Sequence, residues 1–179
     1  RDVGLTLELG GKAANIVHED AAIDQAVEGV VNGIFFNQGH VCCAGSRLLL
    51  QESIHDQFVK KLEKRMQSLR VGNPLDKNTD IGAINSKEQL DKITSLVNEG
   101  VEDGGELFQT QCELPGNGFW FRPSLFTNVQ PSYSIAREEI FGPVLTTLTF
   151  RTPEEAVEIA NNTEYGLSAG VWTEKGSKI

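Results

Sequence analysis

The stretch AANIVHEDAAIDQAVEGVVNGIFFNQGHVCCAGSRLLLQ, from Ala13 to Gln51, decides the fold. Its opening run, Ala13 to Val17, is short and apolar, as a strand requires. Asp20 is placed to cap a helix. Behind it Ile23, Val27, Val30, Val31 and Ile34 recur at three- and four-residue steps, the apolar stripe of a helix. The stripe stops at Asn37-Gln38-Gly39, and Arg47 to Gln51 (RLLLQ) reads as a second, buried strand.

The same alternation continues on both sides. Upstream, Leu5 to Leu9 reads as another strand, separated from Ala13 by the Gly10-Gly11 turn. Downstream, Phe58, Leu62, Met66 and Leu69 define an amphipathic helix that ends by turn chemistry at Val71-Gly72-Asn73-Pro74. Ser86 and Gln89 have capping-box spacing, and Leu90, Ile93, Val97 and Val101 continue that helix toward Gly104-Gly105. Strands are expected at Glu106 to Thr110, Phe119 to Val129, Leu145 to Phe150 and Leu167 to Thr173, with Gln111 to Gly118 as a surface loop. Thr152, Pro153 and Glu155 open a further helix as cap, first-turn proline and capping-box acid. Strands alternating with helices predict an α/β fold, a mostly parallel sheet with helices on both faces.

With 179 residues the chain is long enough for one domain with a real core and short for two. Residues 1–179 are taken as one domain cut from a longer chain, because the first motif begins within a few residues of the start and the end falls on a strand-like run. Hydrophobic residues at 39% and charged residues at 23% place it in the ordinary soluble globular class. A formal net charge of -9 argues against nucleic acid or an anionic membrane as the main partner. No apolar run approaches the ~18 residues that span a bilayer. The three cysteines, two of them adjacent, form no disulfide framework, which points to a reducing compartment, taken as the cytoplasm. No metal site is expected.

The chemistry-bearing residues lie in and beside the opening stretch. Cys42 and Cys43 stand in a loop of small residues, Ala44, Gly45 and Ser46, where a carbonyl has room to approach a thiol. Backbone N–H groups of such a loop can aim at a developing oxyanion. Glu8, in LELGGK, is a carboxylate on a separate element and a candidate acid/base partner. Which thiol reacts is left open by the residues themselves, since neighbours in an extended segment point to opposite faces. Buried free cysteines are a plain alternative.

Three blocks in register then carry a resemblance: LELGGK (Leu7 to Lys12), FFNQGHVCCAGSR (Phe35 to Arg47) and REEIFGPV (Arg137 to Val144). Together they resemble the signature blocks of the NAD(P)-dependent aldehyde dehydrogenase superfamily. The thirty-four positions between Glu8 and Cys42 match the spacing usual in its aldehyde-oxidising members. VGNPLD, FRPSLFTNV and YGLSAGVW extend the resemblance along the chain, and RLLLQES and EKRMQSLRVGNPLD are also similar to stretches of the long aldehyde dehydrogenase family 16. The resemblance implies the catalytic-domain fold of that superfamily and oxidation of an aldehyde to a carboxylic acid through a Cys thiohemiacetal and thioester. It implies Cys42 as nucleophile, with Cys43 a bystander, and Glu8 as the base for the deacylating water. For the cofactor, NAD or NADP, it implies Glu139 on the nicotinamide ribose hydroxyls, Phe141 near the nicotinamide, and Gln89 and Lys92 as further ribose contacts. Implied partners are an aldehyde substrate, the remainder of a parent chain, and copies of itself in a homo-oligomer.

Each residue also has a plainer reading. Glu8 caps a turn; Glu138 and Glu139 begin a helix, where acids favour the dipole; Phe141 belongs to a core. Lys12 reads as a surface charge, and the histidines as loop or solvent-facing residues, with His18 and His55 near helix starts. His40 stands where the family usually has Gln, two residues before Cys42, so an extended backbone would put both side chains on one face. No G-x-G-x-x-G turn occurs, so the adenine and pyrophosphate are expected to bind segments absent from this chain, which alone is expected to turn over little. Two other classes compete: a scaffold that kept the fold after catalysis became vestigial, and a thiol hydrolase using His40.

Overall fold

Leu48, Leu49 and Leu50 have no solvent exposure. A strand of consecutive apolar residues is stable only where both faces of a sheet are covered. That strand, β2 (Arg47–Gln51), lies at the middle of a six-stranded sheet in the computed structural model, which describes residues 3–178. The elements in chain order are β1 (Ala14–Val17), α1 (Ile23–Phe35), β2, α2 (His55–Met66), α3 (Lys87–Glu102), β3 (Glu106–Gln109), β4 (Ser124–Thr127), α4 (Ser134–Arg137), β5 (Val144–Phe150), α5 (Pro153–Asn161) and β6 (Ala169–Trp172). The sheet order is β3-β4-β5-β2-β1-β6. Every pairing is parallel except β3 with β4.

Alternation along the strands divides the core. Val17, Leu48, Leu50, Leu125 and Leu145 pack with Val30 and Ile34 of α1 and Phe58, Leu62 and Met66 of α2. Ala14, Ile16, Leu49, Leu148 and Phe150 point the other way and pack with Ala156 of α5, while Phe126 and Val144 join Ile93 and Val97 of α3 and Ile135 of α4. Each fully buried Leu, Ile or Phe stabilises this arrangement by about 1.5–3 kcal/mol. The expected mostly parallel sheet, covered on both faces, is the fold observed.

Local expectations fail where a distant partner intervenes. Leu5 to Leu9 is not a strand: no ladder bonds it, and Val3, Leu5, Leu7 and Leu9 are between 58% and 85% exposed. Asp20 does not cap α1, whose N-cap is Ala22; its carboxylate binds Lys178, Thr173 and the Glu174 N–H instead. The strand expected from Phe119 to Val129 is only Ser124–Thr127, since Pro123 has no N–H to donate and Asn128 turns left-handed at φ 54°. His18 is buried against Phe150, with ring centroids 5.2 Å apart, and is not solvent-facing. Burial lowers its pKa.

The caps of α3 and α5 form as read. Ser86 accepts the Gln89 N–H at 3.1 Å and Thr152 accepts the Glu155 N–H at 3.2 Å.

Candidate active site

Strands β1, β2 and β5 are neighbours, with Ala14 beside Arg47 and Arg47 beside Thr146. The chain segments leading into their N-terminal ends therefore converge at one rim of the sheet. Those segments are Gly10–Ala13, Cys42–Ser46 and Glu139–Pro143. The Gly11 N–H donates to Glu139 Oε1 at 2.8 Å, joining the first to the third. A Cβ on Gly11 would stand 2.2 Å from the Cys42 carbonyl oxygen, so only glycine lets the first lie on the second. A Cβ on Gly39 would meet the Gly142 carbonyl at 2.1 Å, which closes the ring.

The thiols are presented by a turn, and the extended backbone expected here is absent. Ala44 N–H bonds the Val41 carbonyl at 3.0 Å, leaving Cys42 and Cys43 as the exposed central residues. The Cys43 carbonyl accepts the Ser168 hydroxyl at 3.2 Å. Among the described residues the Cys42 N–H has no acceptor. Before the turn, Asn37, Gln38 and Gly39 take left-handed angles in succession (φ 50°, 48° and 76°). For L residues this conformation costs roughly 1–2 kcal/mol each. Side chains hold it: Asn37 donates to the His40 carbonyl at 3.1 Å, and Gln38 accepts the Gly82 N–H at 3.1 Å. Strain gathered beside a candidate nucleophile is the pattern of a preorganised site.

His40 turns away from hydrogen bonding. Both ring nitrogens are buried without partners among the described residues, and the ring lies on Phe141 with centroids 5.1 Å apart. Desolvation lowers its pKa, and among the described residues it makes no hydrogen bond to Cys42.

Glu138 and Glu139 follow α4 and do not begin a helix. Glu139 is half-buried. Its Oε2 packs over Gly10, where a Cβ would come within 2.6 Å. Phe141, also half-buried, adopts φ 54°, an uncommon conformation for a bulky residue. Gln89 holds it there, its amide donating to the carbonyls of Ile140 at 2.8 Å and Phe141 at 3.0 Å. With its amide hydrogens so engaged, Gln89 supports the loop. Lys92 stands exposed one turn further along α3. Glu8 is also exposed; three residues before Gly11, its backbone lies within about 10 Å of that contact.

Two residues of the site were not read from the sequence. Arg47 is buried and donates to the carbonyls of Lys12 at 2.8 Å, Ile159 at 3.0 Å and Ala160 at 2.8 Å, tying the C-terminal end of α5 to the start of β1. Lys12, expected at the surface, is 1% exposed, and its Nζ has no partner among the described residues. Residue type alone predicts both at the surface; only their place inside two of the three blocks hinted otherwise.

The chain is similar to known proteins along nearly all of its length. The model of the aldehyde dehydrogenase family matches residues 3–179. The chain is 46% identical over 170 residues to an aldehyde dehydrogenase of Emericella nidulans, covering 94% of this chain and 34% of that protein. It is 46% identical over 169 residues to retinal dehydrogenase 2 of Taeniopygia guttata, covering 94% and 33%. The crystal structure of an NAD-dependent aldehyde dehydrogenase from Sinorhizobium meliloti superposes with a TM-score of 0.91 at 45% identity, over 96% of this chain and 34% of that one. Betaine aldehyde dehydrogenase from Staphylococcus aureus, solved with NAD+, gives 0.91 at 37% identity, over 96% and 35%. The chain thus spans about a third of the length of the relatives it matches.

Proposed function

The chain belongs to the aldehyde dehydrogenase family, and from that premise we propose that residues 1–179 are the thiol-bearing catalytic domain of an enzyme that oxidises an aldehyde to a carboxylic acid with NAD or NADP. The observation that carries this reading is the packing of Gly11 between Cys42 and Glu139, which joins the thiol turn, the segment bearing Glu8 and a half-buried carboxylate at one rim.

In this reading the Cys42 thiolate attacks the aldehyde carbon, and the Cys42 N–H, free of any acceptor among the described residues, faces the developing oxyanion. The nicotinamide, when bound, supplies the hydride acceptor. Glu139, with Oε1 fixed by Gly11, keeps Oε2 for the ribose hydroxyls, and Phe141 offers its ring to the nicotinamide side of the site. These residues fit the cofactor's sugar and ring. Lys92 and the side-chain oxygen of Gln89 are further ribose contacts, while the Gln89 amide holds the loop that carries Phe141. The oxidised acyl group stays on Cys42 as a thioester. Glu8 draws a proton from water, the water attacks the thioester carbon, and the acid leaves with return of the thiol.

The adenine and pyrophosphate belong, in this reading, to the segments that the relatives carry beyond the matched third, so the chain alone turns over little. The exposed Val3, Leu5, Leu7 and Leu9, and the rims of the sheet at β3 and β6, are the surfaces we assign to those segments and to copies of the protein in a homo-oligomer. Among the described residues no helix is long and apolar enough to cross a membrane.

The test uses a protein carrying this chain with a cofactor-binding portion. Cys42→Ser is expected to abolish aldehyde-dependent NADH or NADPH formation and Cys43→Ser to leave it within severalfold of wild type. Retained activity in Cys42→Ser would reject the assignment of the nucleophile. A wild type inactive on every aldehyde tried would favour a scaffold that only kept the fold.

A further inference from the structure

We propose that Lys12 is a positioning residue whose buried amino group governs how Glu139 presents its free oxygen to the ribose hydroxyls of the cofactor. The inference rests on the reading of Glu139 given above and adds a residue to it.

Lys12 follows directly the glycine that fixes Glu139. The Gly11 N–H holds Oε1, and the next carbonyl, that of Lys12, accepts Arg47 Nε at 2.8 Å. The backbone is therefore pinned on both sides of the residue, and the side chain is committed to the interior. There its Nζ finds no hydrogen-bond partner among the described residues. An ammonium carries three donors, and leaving all three unmet in the interior disfavours the charged form.

The charges around it arise on separate elements. Arg47 of β2 and Lys92 of α3 oppose protonation, whereas Glu139 and Glu138, after α4, favour it. Burial is the largest influence, and the balance lowers the pKa of Lys12 to about 7. The amine is thus half charged near neutral pH. Lys12 also lines a cavity of about 250 Å³ together with Arg47, Thr163, Tyr165 and Ser168. An apolar side chain such as Met would fill this position without a desolvation penalty. A lysine here makes physical sense as a charge directed at the neighbouring carboxylate.

The consequence is a site with two electrostatic states. With Lys12 charged, Glu139 has a fixed cation behind it and its Oε2 is held over Gly10. With Lys12 neutral, that hold is lost. Cofactor affinity therefore weakens as pH rises through about 7, with little change in the chemical step.

Two measurements decide it. The first needs no activity: in this chain labelled with lysine 13Cε, the Lys12 resonance, assigned by its loss in Lys12→Arg, is titrated by NMR. We expect a midpoint near 7 that falls by about half a pH unit, a threefold loss of proton affinity, in Glu139→Gln. An ordinary lysine midpoint, or one unmoved by Glu139→Gln, overturns the proposal. The second uses a protein that also carries the cofactor-binding portion. Lys12→Met should raise KM for NAD severalfold at pH 6 with kcat within about twofold, and should remove the rise in KM between pH 6 and 8.5. Lys12→Arg, charged throughout, should keep KM low at pH 8.5. A pH step that persists in Lys12→Met overturns the role. A wild type without dehydrogenase activity would instead count against the reading of Glu139, while the NMR result still decides whether the two residues are coupled.

Discussion

Gly11 lies against Cys42 with no space between them for a methyl group: a Cβ there would stand 2.2 Å from the Cys42 carbonyl oxygen. The thiol turn and the extended segment carrying Glu8 are thus set by one backbone contact. Gly11→Ala must push the two apart. We expect a loss of about 1–3 kcal/mol, typical of overpacking, read as a lower urea midpoint. Maleimide labelling of Cys42 should change in rate at the same time; a variant with wild-type stability and labelling would show that the contact is loose.

Arg47 is the second hinge of the site. Arg47→Met removes three hydrogen bonds at once, leaving the carbonyls of Lys12 and Ala160 without their donor and that of Ile159 with only the Asn162 N–H at 3.3 Å. The expected destabilisation is on the order of 3 kcal/mol or more. Arg47→Lys should recover little of it, because an ammonium cannot span three carbonyls as the planar fork does. Thermal melts of the two variants beside wild type measure this directly.

Gln89 is predicted to act through the loop it holds. Gln89→Leu deletes both bonds to the Ile140 and Phe141 carbonyls, and Phe141 loses support for its left-handed backbone. Backbone amides from residues 139 to 142 should exchange with deuterium at least tenfold faster, with α3 itself little affected. Unchanged exchange would mean that packing alone keeps Phe141 in place.

Acid sensitivity should trace in part to Asp20. Hydrogen bonds from Lys178 and Thr173 hold its carboxyl well below the usual carboxylate range. A group depressed in this way contributes stability above its unfolded value of about 4, and loses it as pH falls toward the folded value. The stability gap between wild type and Asp20→Asn should therefore be full at pH 6 and close progressively between about pH 4 and pH 2. Urea titrations at those pH values test it; a gap independent of pH would assign the effect to packing.

Much of this fold was written locally. Strand β2 is a run of three leucines, α1 a clean apolar stripe, and α5 opens with Thr152 and Pro153, all signals contained within a few residues. What escaped depends on partners far along the chain. Asp20 has the chemistry of a cap, yet Lys178, 158 positions away, claims it. Nothing in Asn37-Gln38 announces two consecutive left-handed residues; the Gly82 amide that secures them comes 44 positions later.

The site was legible in part for the same reason. The blocks containing Glu8, Cys42 and Glu139 stand far apart in sequence, and the order β1-β2-β5 within the sheet is what makes their lead-in segments adjacent. The burial of Lys12 runs against its residue type, and the task of Gln89 is defined by two carbonyls about fifty residues downstream.

The sheet ends at β6, whose Ala169–Trp172 backbone is bonded only on the side of β1. A row of unmet donors and acceptors on the open side is a template for any extended chain that drifts past. Concentrated solutions of this polypeptide by itself should therefore grow heavier with time, zipping rim to rim. A companion strand laid along β6 should slow that growth, making the solubility of the isolated chain a reporter of whether this border is covered.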